Sequence, residues 1–254
     1  MPRKIFIKTA NTLNLLKEVY LGGVINEAII TLEKGKASIE AVDITASIVY
    51  ISSASVSTKK LNGELGLGNI ELFIKFLSTM KDPKLSIALT ENRMIVSRKD
   101  KRRKLEYLLS QPALIPTRLR MNDDDDNDPR DAFESMAETK AELDESFVKD
   151  FSSYIATLKT KIVTIDVDAD NATFTLGPKS EHQFKLSLPI TEDPTDDDFT
   201  LKVNGDYLSK ILSVLEFNED DDPITIGFSD GKPIIIEAAP SLWAVSPSEE
   251  LEED

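Results

Sequence analysis

The sequence predicts an α+β protein with two pseudo-repeated domains, each made of two helices packed on an antiparallel sheet. The main observation behind this fold class is a repeat. Helix, strand pair, longer helix and further strands occur twice, the second copy about 135 residues after the first. In addition, the helical segments place apolar residues on one arc, and the other segments are β-rich runs between turn signals. A repeat of this length indicates two similar domains.

The first copy of the repeat occupies the N-terminal half. Helices are predicted at residues 12–20, which end at Gly22, and at residues 70–80, where Asn69 is placed as the N-cap. The apolar arc of the second helix holds Leu72, Phe73, Phe76, Leu77 and Met80. Strands are predicted at residues 27–33, 37–42, 47–57, 84–90, 93–98 and 104–110.

The second copy follows a connecting segment. Its helices are predicted at residues 146–159 and 206–216, and its strands at residues 162–167, 172–176, 182–189, 199–203, 224–228, 232–238 and 242–245. Residues 121–143 are rich in Asp and are predicted to be an acidic interdomain linker with a short helix near residues 133–143. The predicted domains are residues 1–120 and residues 144–254, the second ending in an acidic tail.

Charge is distributed unevenly along the chain. The net charge is −15, but residues 1–120 carry 20 Lys and Arg against 11 Asp and Glu, whereas residues 121–254 carry 10 against 34. Acidic clusters of this kind are usually solvated loops and tails. Net charge therefore does not exclude a nucleic-acid partner for any particular surface.

Composition also limits location and chemistry. The chain has no cysteine, which excludes disulfides and thiolate metal sites. It has no apolar run of about 18 residues, so no membrane span is expected. The first residues lack the apolar stretch of a signal peptide, and an intracellular location is expected.

The outward faces of the predicted helices carry small polar residues and a few lysines, with little acid. Lys75, Ser78 and Thr79 lie on such a face in the first half, and Lys149 and Ser153 in the second. This composition fits close approach to a polyanion. The alternative, an ordinary solvated helix surface, remains equally open, because Ser, Thr and Lys are common there.

Three segments then carry a family resemblance. They are residues 41–49 (AVDITASIV), the helix at residues 69–80 with Lys75 at its basic position, and residues 232–237 (KPIIIE) followed by Trp243 to Pro247 and acids. In this order and spacing, over residues 3–247, the chain resembles the DNA sliding clamps, the ring-shaped processivity factors of replication. The clamp ring contains six similar domains, so a two-domain chain is implied to close as a homotrimer through head-to-tail contacts of edge strands.

The resemblance implies how the ring would work. Helices would line a channel for duplex DNA, held topologically and without sequence preference, while the ring tethers DNA polymerase and is opened by a clamp loader ATPase. The positions implied to face DNA are Lys17, Lys75, Lys81, Lys149, Lys159 and Lys210, with Lys161 as a further candidate. Few and weak phosphate contacts allow sliding.

In the same family, other replication and repair factors dock short hydrophobic peptides into a pocket on the clamp. The matching positions are Val42, Ile48, Val49, Pro233, Trp243, Val245 and Pro247. Core packing is the alternative for Val42 and Ile48. The acidic linker and the basic segment at residues 98–104 depart from the family pattern, so the pocket and its client motif can differ here, as in the divergent clamps of tailed phages.

Three patterns suggestive of chemistry are better explained structurally. Asp166 to Asn171 begins like a calcium loop but lacks its glycine and its glutamate, so a hairpin turn is expected. Gly63, Gly66 and Gly68 do not complete a dinucleotide fingerprint, because Glu71 takes the third glycine position; Gly66 and Gly68 are expected to shape the entry to the helix. His182, the single histidine, has no supported catalytic partners.

We therefore expect no catalytic residue, no cofactor and no metal, and the protein is not predicted to be an enzyme. Two alternatives to a ring stay open. One is a DNA-polymerase accessory of the same fold that binds DNA only electrostatically. The other is an acidic protein-interaction scaffold that does not bind DNA.

Overall fold

The computed structural model describes residues 4–55, 62–90, 92–98, 103–116, 129–178, 182–195, 197–218 and 221–248. Contacts between Cα atoms divide the chain into two compact units. The first unit contains Met1–Ala46 and Tyr50–Met121, and the second contains Ser47–Val49 and Asn122–Asp254. The acidic residues 121–128 and the acidic tail 249–254 lie outside the described residues.

The described residues of the first unit form two α-helices and eight strands. The helices are α1 (Thr9–Tyr20) and α2 (Ile70–Met80). The strands are β1 (Lys4–Lys8), β2 (Ala28–Glu33), β3 (Lys36–Val42), β4 (Ile48–Ser55), β5 (Gly63–Leu67), β6 (Lys84–Leu89), β7 (Arg93–Arg98) and β8 (Lys104–Leu108). Hydrogen-bonded neighbours follow the order β1-β6-β7-β8 in one group of strands and β4-β3-β2-β5 in the other.

The second unit repeats the helix pair and adds one short helix. The helices are α3 (Pro129–Glu134), α4 (Glu145–Leu158) and α5 (Gly205–Leu212). The strands are β9 (Thr139–Glu142), β10 (Ile162–Val167), β11 (Asn171–Leu176), β12 (Phe184–Glu192), β13 (Phe199–Asn204), β14 (Thr225–Phe228), β15 (Ile234–Ala238) and β16 (Ser241–Val245). Their order is β13-β10-β11-β12-β9-β14-β15-β16, with antiparallel pairing.

Side-chain caps explain why three of these helices begin where they do. The side chain of Asn69 accepts the N–H of Leu72 at 2.8 Å at the start of α2. Asp144 accepts the N–H of Phe147 at 2.7 Å at the start of α4, and Asn204 plays the same role for α5. Each cap satisfies an otherwise unpaired helical N–H. The Ser146 hydroxyl, followed by the Phe147 N–H, holds the pKa of Asp144 below its ordinary value.

Aromatic side chains fill the core of the second unit between its helices and its sheet. The rings of Phe147 and Phe174 lie 5.1 Å apart in an edge-on arrangement, and Phe228 lies 6.1 Å from Phe174. Phe151 is fully buried beside them. Edge-on aromatic pairs add to the stabilisation from burial, so this cluster fixes α4 on the sheet.

Several sequence predictions need correction. The short helix predicted near residues 133–143 is wrong: α3 ends at Glu134, and residues 139–142 form β9, whose Thr139 and Ala141 are fully buried against β14. Gly66 was expected only to shape the entry to α2, but it is part of β5. A Cβ at Gly66 would lie 2.4 Å from the Ser110 carbonyl oxygen, so only glycine fits this close approach.

Two predicted helix faces also differ. Leu72 and Phe76, predicted on the buried arc of α2, are exposed. Helix α5 ends at Leu212, so Val214 and Leu215 lie beyond its end rather than on its inner face. Ser213 continues the chain in a turn, which the apolar periodicity of the segment did not reveal.

Candidate nucleic-acid interface

In the first unit, α1 and α2 pack side by side and expose a lysine each. Leu16 of α1 and Phe73 of α2 are buried. Lys17 lies in the last turn of α1 and is exposed, and Lys75 is exposed on α2. The structure therefore places both of these predicted DNA-facing lysines on the solvent side of one helix pair.

The second unit presents the same arrangement on α4 and α5. Lys149 is exposed on α4, and Lys210 is partly exposed on α5. Lys161 is also exposed. Thr160, two residues after α4, is buried beside Gly205, where a Cβ would meet the Thr160 carbonyl oxygen at 2.8 Å.

Lys81 and Lys159 occupy equivalent positions in the two copies of the repeat. Each follows the last residue of a helix, α2 or α4, and each is exposed. Their φ angles are 47° and 52°, in the left-handed region that favours glycine. A cation at the C-terminal end of a helix interacts favourably with the helix dipole, which partly offsets this conformation.

Two of the candidate lysines form exposed ion pairs along their own helices. Lys75 Nζ lies 2.5 Å from a Glu71 carboxylate oxygen, and Lys149 Nζ lies 3.0 Å from one of Glu145. The hydrogen bond that Lys75 donates to the Glu71 carboxylate raises the pKa of Lys75. Exposed pairs of this kind contribute little to stability and are screened by salt, so a phosphate group can compete for either lysine.

The candidate peptide pocket divides into buried and accessible positions. Val42, Ile48, Trp243 and Val245 are buried, whereas Val49, Pro233 and Pro247 are partly exposed. In the second unit, the N–H of Ser246 donates to the Ser47 carbonyl at 2.9 Å, which brings residues 47–49 beside the end of β16. Among these seven positions, only the three partly exposed ones offer surface to a ligand in this conformation.

The segment that resembles a calcium loop is a hairpin turn, as predicted. It connects β10 to β11, and the Asp168 carboxylate accepts the N–H groups of Asp170 and Asn171, each at 2.8 Å. Within the described ranges, no group of three or more acidic or histidine side chains is arranged to hold a metal ion. His182 is exposed just before the start of β12.

Comparison with known proteins identifies the fold. No protein-family model and no curated protein sequence matches the chain. Among solved structures, the Helicobacter pylori beta clamp bound to a DNA ligase peptide matches with a TM-score of 0.69 and 14% identity, over 99% of this chain and 68% of that one. PCNA from Thermococcus kodakaraensis matches with a TM-score of 0.72 and 13% identity, over 96% of this chain and 99% of its own. The chain has the sliding-clamp fold.

A third match shows the same relation. A. fulgidus PCNA, solved with the C-terminal region of FEN-1, has a TM-score of 0.72 and 13% identity, over 98% of this chain and 99% of its own. The chain spans about two thirds of the H. pylori beta clamps, at 65% to 68% of their length, and nearly all of the PCNA chains. The predicted α+β clamp fold with two similar units is thus confirmed.

Among the residues that the structure describes, no helix has the length and apolar character needed to cross a bilayer.

Proposed function

We propose that this protein is a sliding clamp that closes as a homotrimer around duplex DNA and tethers a DNA polymerase and other factors as a processivity factor. The observation that carries the proposal is that both units of the clamp fold expose lysines on paired helices, in a chain whose net charge is −15. A clamp loader ATPase would open the ring. No catalysis is assigned to the protein itself.

The two-unit organisation supports a ring of three chains. The chain matches PCNA over its full length and the longer beta clamps over about two thirds. A ring of six similar units is completed by three copies of a two-unit chain. Cyclic closure then requires a head-to-tail interface, in which different surfaces of the two copies meet.

Two strand edges are available for such an interface. In the first unit, β8 is the last strand of the order β1-β6-β7-β8. In the second unit, β12 pairs with β11 over Phe184 to Pro189, whereas β9 reaches its other side only at Ile190 and Glu192. Within the described residues, one edge of β8 and one edge of β12 from Phe184 to Pro189 are therefore open to pair with another chain.

Apolar side chains beside both edges favour the same pairing. In the first unit, Leu108 on β8 is exposed, and so are Leu72 and Phe76 on α2. In the second unit, Phe184 is exposed at the start of β12, where its ring stacks on Tyr154 with centroids 4.1 Å apart. Burying both apolar groups against each other would stabilise a closed ring.

Partner proteins would dock at the accessible part of the candidate pocket. The H. pylori beta clamp and A. fulgidus PCNA were solved with peptides of a DNA ligase and of FEN-1. In this chain we assign the role to Val49, Pro233 and Pro247, which offer apolar surface above buried Trp243 and Val245. The ligand class is a short peptide with hydrophobic anchors.

Topological retention tests the proposed function. The protein is allowed to thread over the free end of a bead-tethered linear duplex, the free end is then blocked, and the beads are washed at high salt. A closed ring remains bound after the wash and is released when the duplex is cut. High salt removes an electrostatically bound protein, because counterion competition weakens phosphate contacts steeply.

The two alternatives predict different results in the same assay. A non-ring accessory would bind at low salt and leave in the high-salt wash whether or not the end is blocked. An acidic interaction scaffold would not bind the duplex at either salt concentration. Retention that depends on the blocked end is expected only for a ring, so its absence would contradict the proposal.

A further inference from the structure

A row of basic residues lies at one end of the sheet formed by β1, β6, β7 and β8. Lys8 ends β1, Lys84 begins β6, Arg98 ends β7 and Lys104 begins β8. Because neighbouring strands are antiparallel, these four positions share one end of the sheet. Lys81 and Arg103 lie close to them in the chain. We call all six residues together the basic rim: Lys8, Lys81, Lys84, Arg98, Arg103 and Lys104.

Two arginine contacts attach the basic rim to the C-terminal end of α2. Arg103 Nη1 donates to the Thr79 carbonyl in the last turn of α2 at 3.1 Å. Arg98 Nε lies 3.3 Å from Asp82, the residue after Lys81. Arg98 and Arg103 are thereby held against the end of the helix that carries Lys75, and the rim continues the basic surface of α2 around the end of the sheet.

The rim contains a group of three lysines, Lys8, Lys81 and Lys84, besides Lys104, which pairs with Glu106. Lys8 and Lys84 are directly opposite each other in the β1–β6 register, and both are exposed. Like charges at directly opposite positions are destabilising. In the described part of the chain, no carboxylate pairs with Lys8, Lys81 or Lys84. The fold thus holds together lysines that repel one another, which a bound polyanion would relieve.

Among the described residues, the acids near the rim pair with its Arg98 and Lys104 and not with its other lysines. Asp82 is engaged by Arg98, and it also accepts the N–H of Lys84 at 3.1 Å. Glu106 is shared between Lys104 at 2.5 Å and Arg93 at 3.0 Å. The rim keeps a positive surface that three lysines dominate, and flexible lysine point charges suit the phosphate backbone rather than base recognition.

We propose that the basic rim is a second DNA-binding surface, which contacts the phosphate backbone of duplex DNA beyond the α1–α2 face. The inference extends the proposed function, since a duplex that follows α2 past Lys81 next meets the rim. An acidic protein partner is the competing ligand. Continuity with the lysines of α2 favours nucleic acid.

The test compares two double variants that each remove two exposed lysines. The rim variant is Lys8→Gln with Lys84→Gln, and the control is Lys34→Gln with Lys36→Gln in the β2–β3 turn. Binding of each full-length protein to a short linear duplex is measured by fluorescence anisotropy over a range of salt. Each lost phosphate contact lowers the slope of log K against log salt by about 0.9, so the rim variant should lose about 1 to 2 units.

Folding and the competing ligand are checked in parallel. The rim variant should unfold at a temperature no lower than wild type, because it removes a like-charge pair. Equal salt slopes for the rim and control variants would overturn the inference. It would also be overturned if the rim variant bound the duplex normally but lost binding to polyglutamate, which would assign the rim to an acidic protein.

The outcome separates the rim from the ring. If wild type is retained on blocked DNA but the rim variant keeps the wild-type salt slope, the proposed DNA binding by the basic rim is wrong and the proposed ring is supported. If wild type is not retained but the rim variant has a lower salt slope, the DNA binding by the rim is supported and the proposed ring is wrong.

Discussion

Lys81 and Lys159 adopt a backbone conformation that suits glycine better than lysine. In the left-handed region an L-residue is less stable by about 1–2 kcal/mol, because its Cβ crowds the following carbonyl. Both residues end helices whose lysines are proposed to face DNA. Strained residues that persist at equivalent places in a repeat point to a function of the side chain itself.

Replacing both residues separates that function from stability. In the double variant Lys81→Gly, Lys159→Gly, the free energy of unfolding should stay unchanged or rise by up to about 1 kcal/mol, since glycine adopts this conformation without strain. Affinity for a short duplex should fall, with the salt slope lower by about 1 to 2 units. Denaturant unfolding and fluorescence anisotropy measure the two effects.

Lys34 provides a matched control for this substitution. It is also left-handed, with φ of 47°, and lies in the turn between β2 and β3 away from the helix ends. Lys34→Gly should leave the affinity for duplex DNA unchanged. Equal loss of affinity in Lys34→Gly would show that the affinity for duplex DNA depends on net charge alone. That result would contradict a specific role for Lys81 and Lys159.

At the residue scale, helical periodicity predicted the exposure of three lysines but not that of Leu72 and Phe76, and it could not reveal backbone conformation or burial by neighbours. It placed Lys17, Lys75 and Lys149 on solvent-exposed helix faces, as observed. It could not show that Lys81 is left-handed, because the usual signal for that conformation is glycine. Nor could it show that Trp243 is buried, since burial depends on strands distant in sequence.

Strand β8 is the element on which ring closure depends in this account. Its Leu108 side chain is 65% exposed on a strand with an open edge. Leu108→Glu should leave the single chain folded, because the side chain makes no contribution to its core. It should weaken self-association by about tenfold or more, equivalent to about 1.4 kcal/mol, by placing a charge in an apolar interface. Light scattering at several protein concentrations measures the change.

Leu114 offers the control for this experiment. It is 76% exposed but lies in a short turn after β8 rather than on the strand. Leu114→Glu should associate like wild type. If both variants associate like wild type, β8 is not the interface.

At the element scale, the strongly periodic helices and most strands were predictable, and three short strands were not. Strand β1 lies at the very start of the chain, and without it the opposition of Lys8 to Lys84 could not be seen. The glycines of β5 suggested a loop, although Gly66 is there for close contact with Ser110. Strand β9 has only Thr139 and Ala141 as its buried positions, a weak apolar signal beside an acidic segment.

At the scale of the whole molecule, the repeat and the charge distribution have a joint consequence. Residues 1–120 carry nine more basic than acidic side chains, and residues 121–254 carry 24 more acidic than basic ones. In a head-to-tail ring of two-unit chains, each basic unit adjoins only acidic units. Complementary charge of this kind favours the correct pairing of copies and disfavours contacts between like units.

The number of chains in the assembly tests the central claim most directly. Native mass spectrometry or light scattering at micromolar concentration should give about 85 kDa, three times the 28.2 kDa of one chain. This mass follows from six similar units at two per chain. A mass of a single chain, or of two, at every concentration tested would contradict the closed three-chain ring.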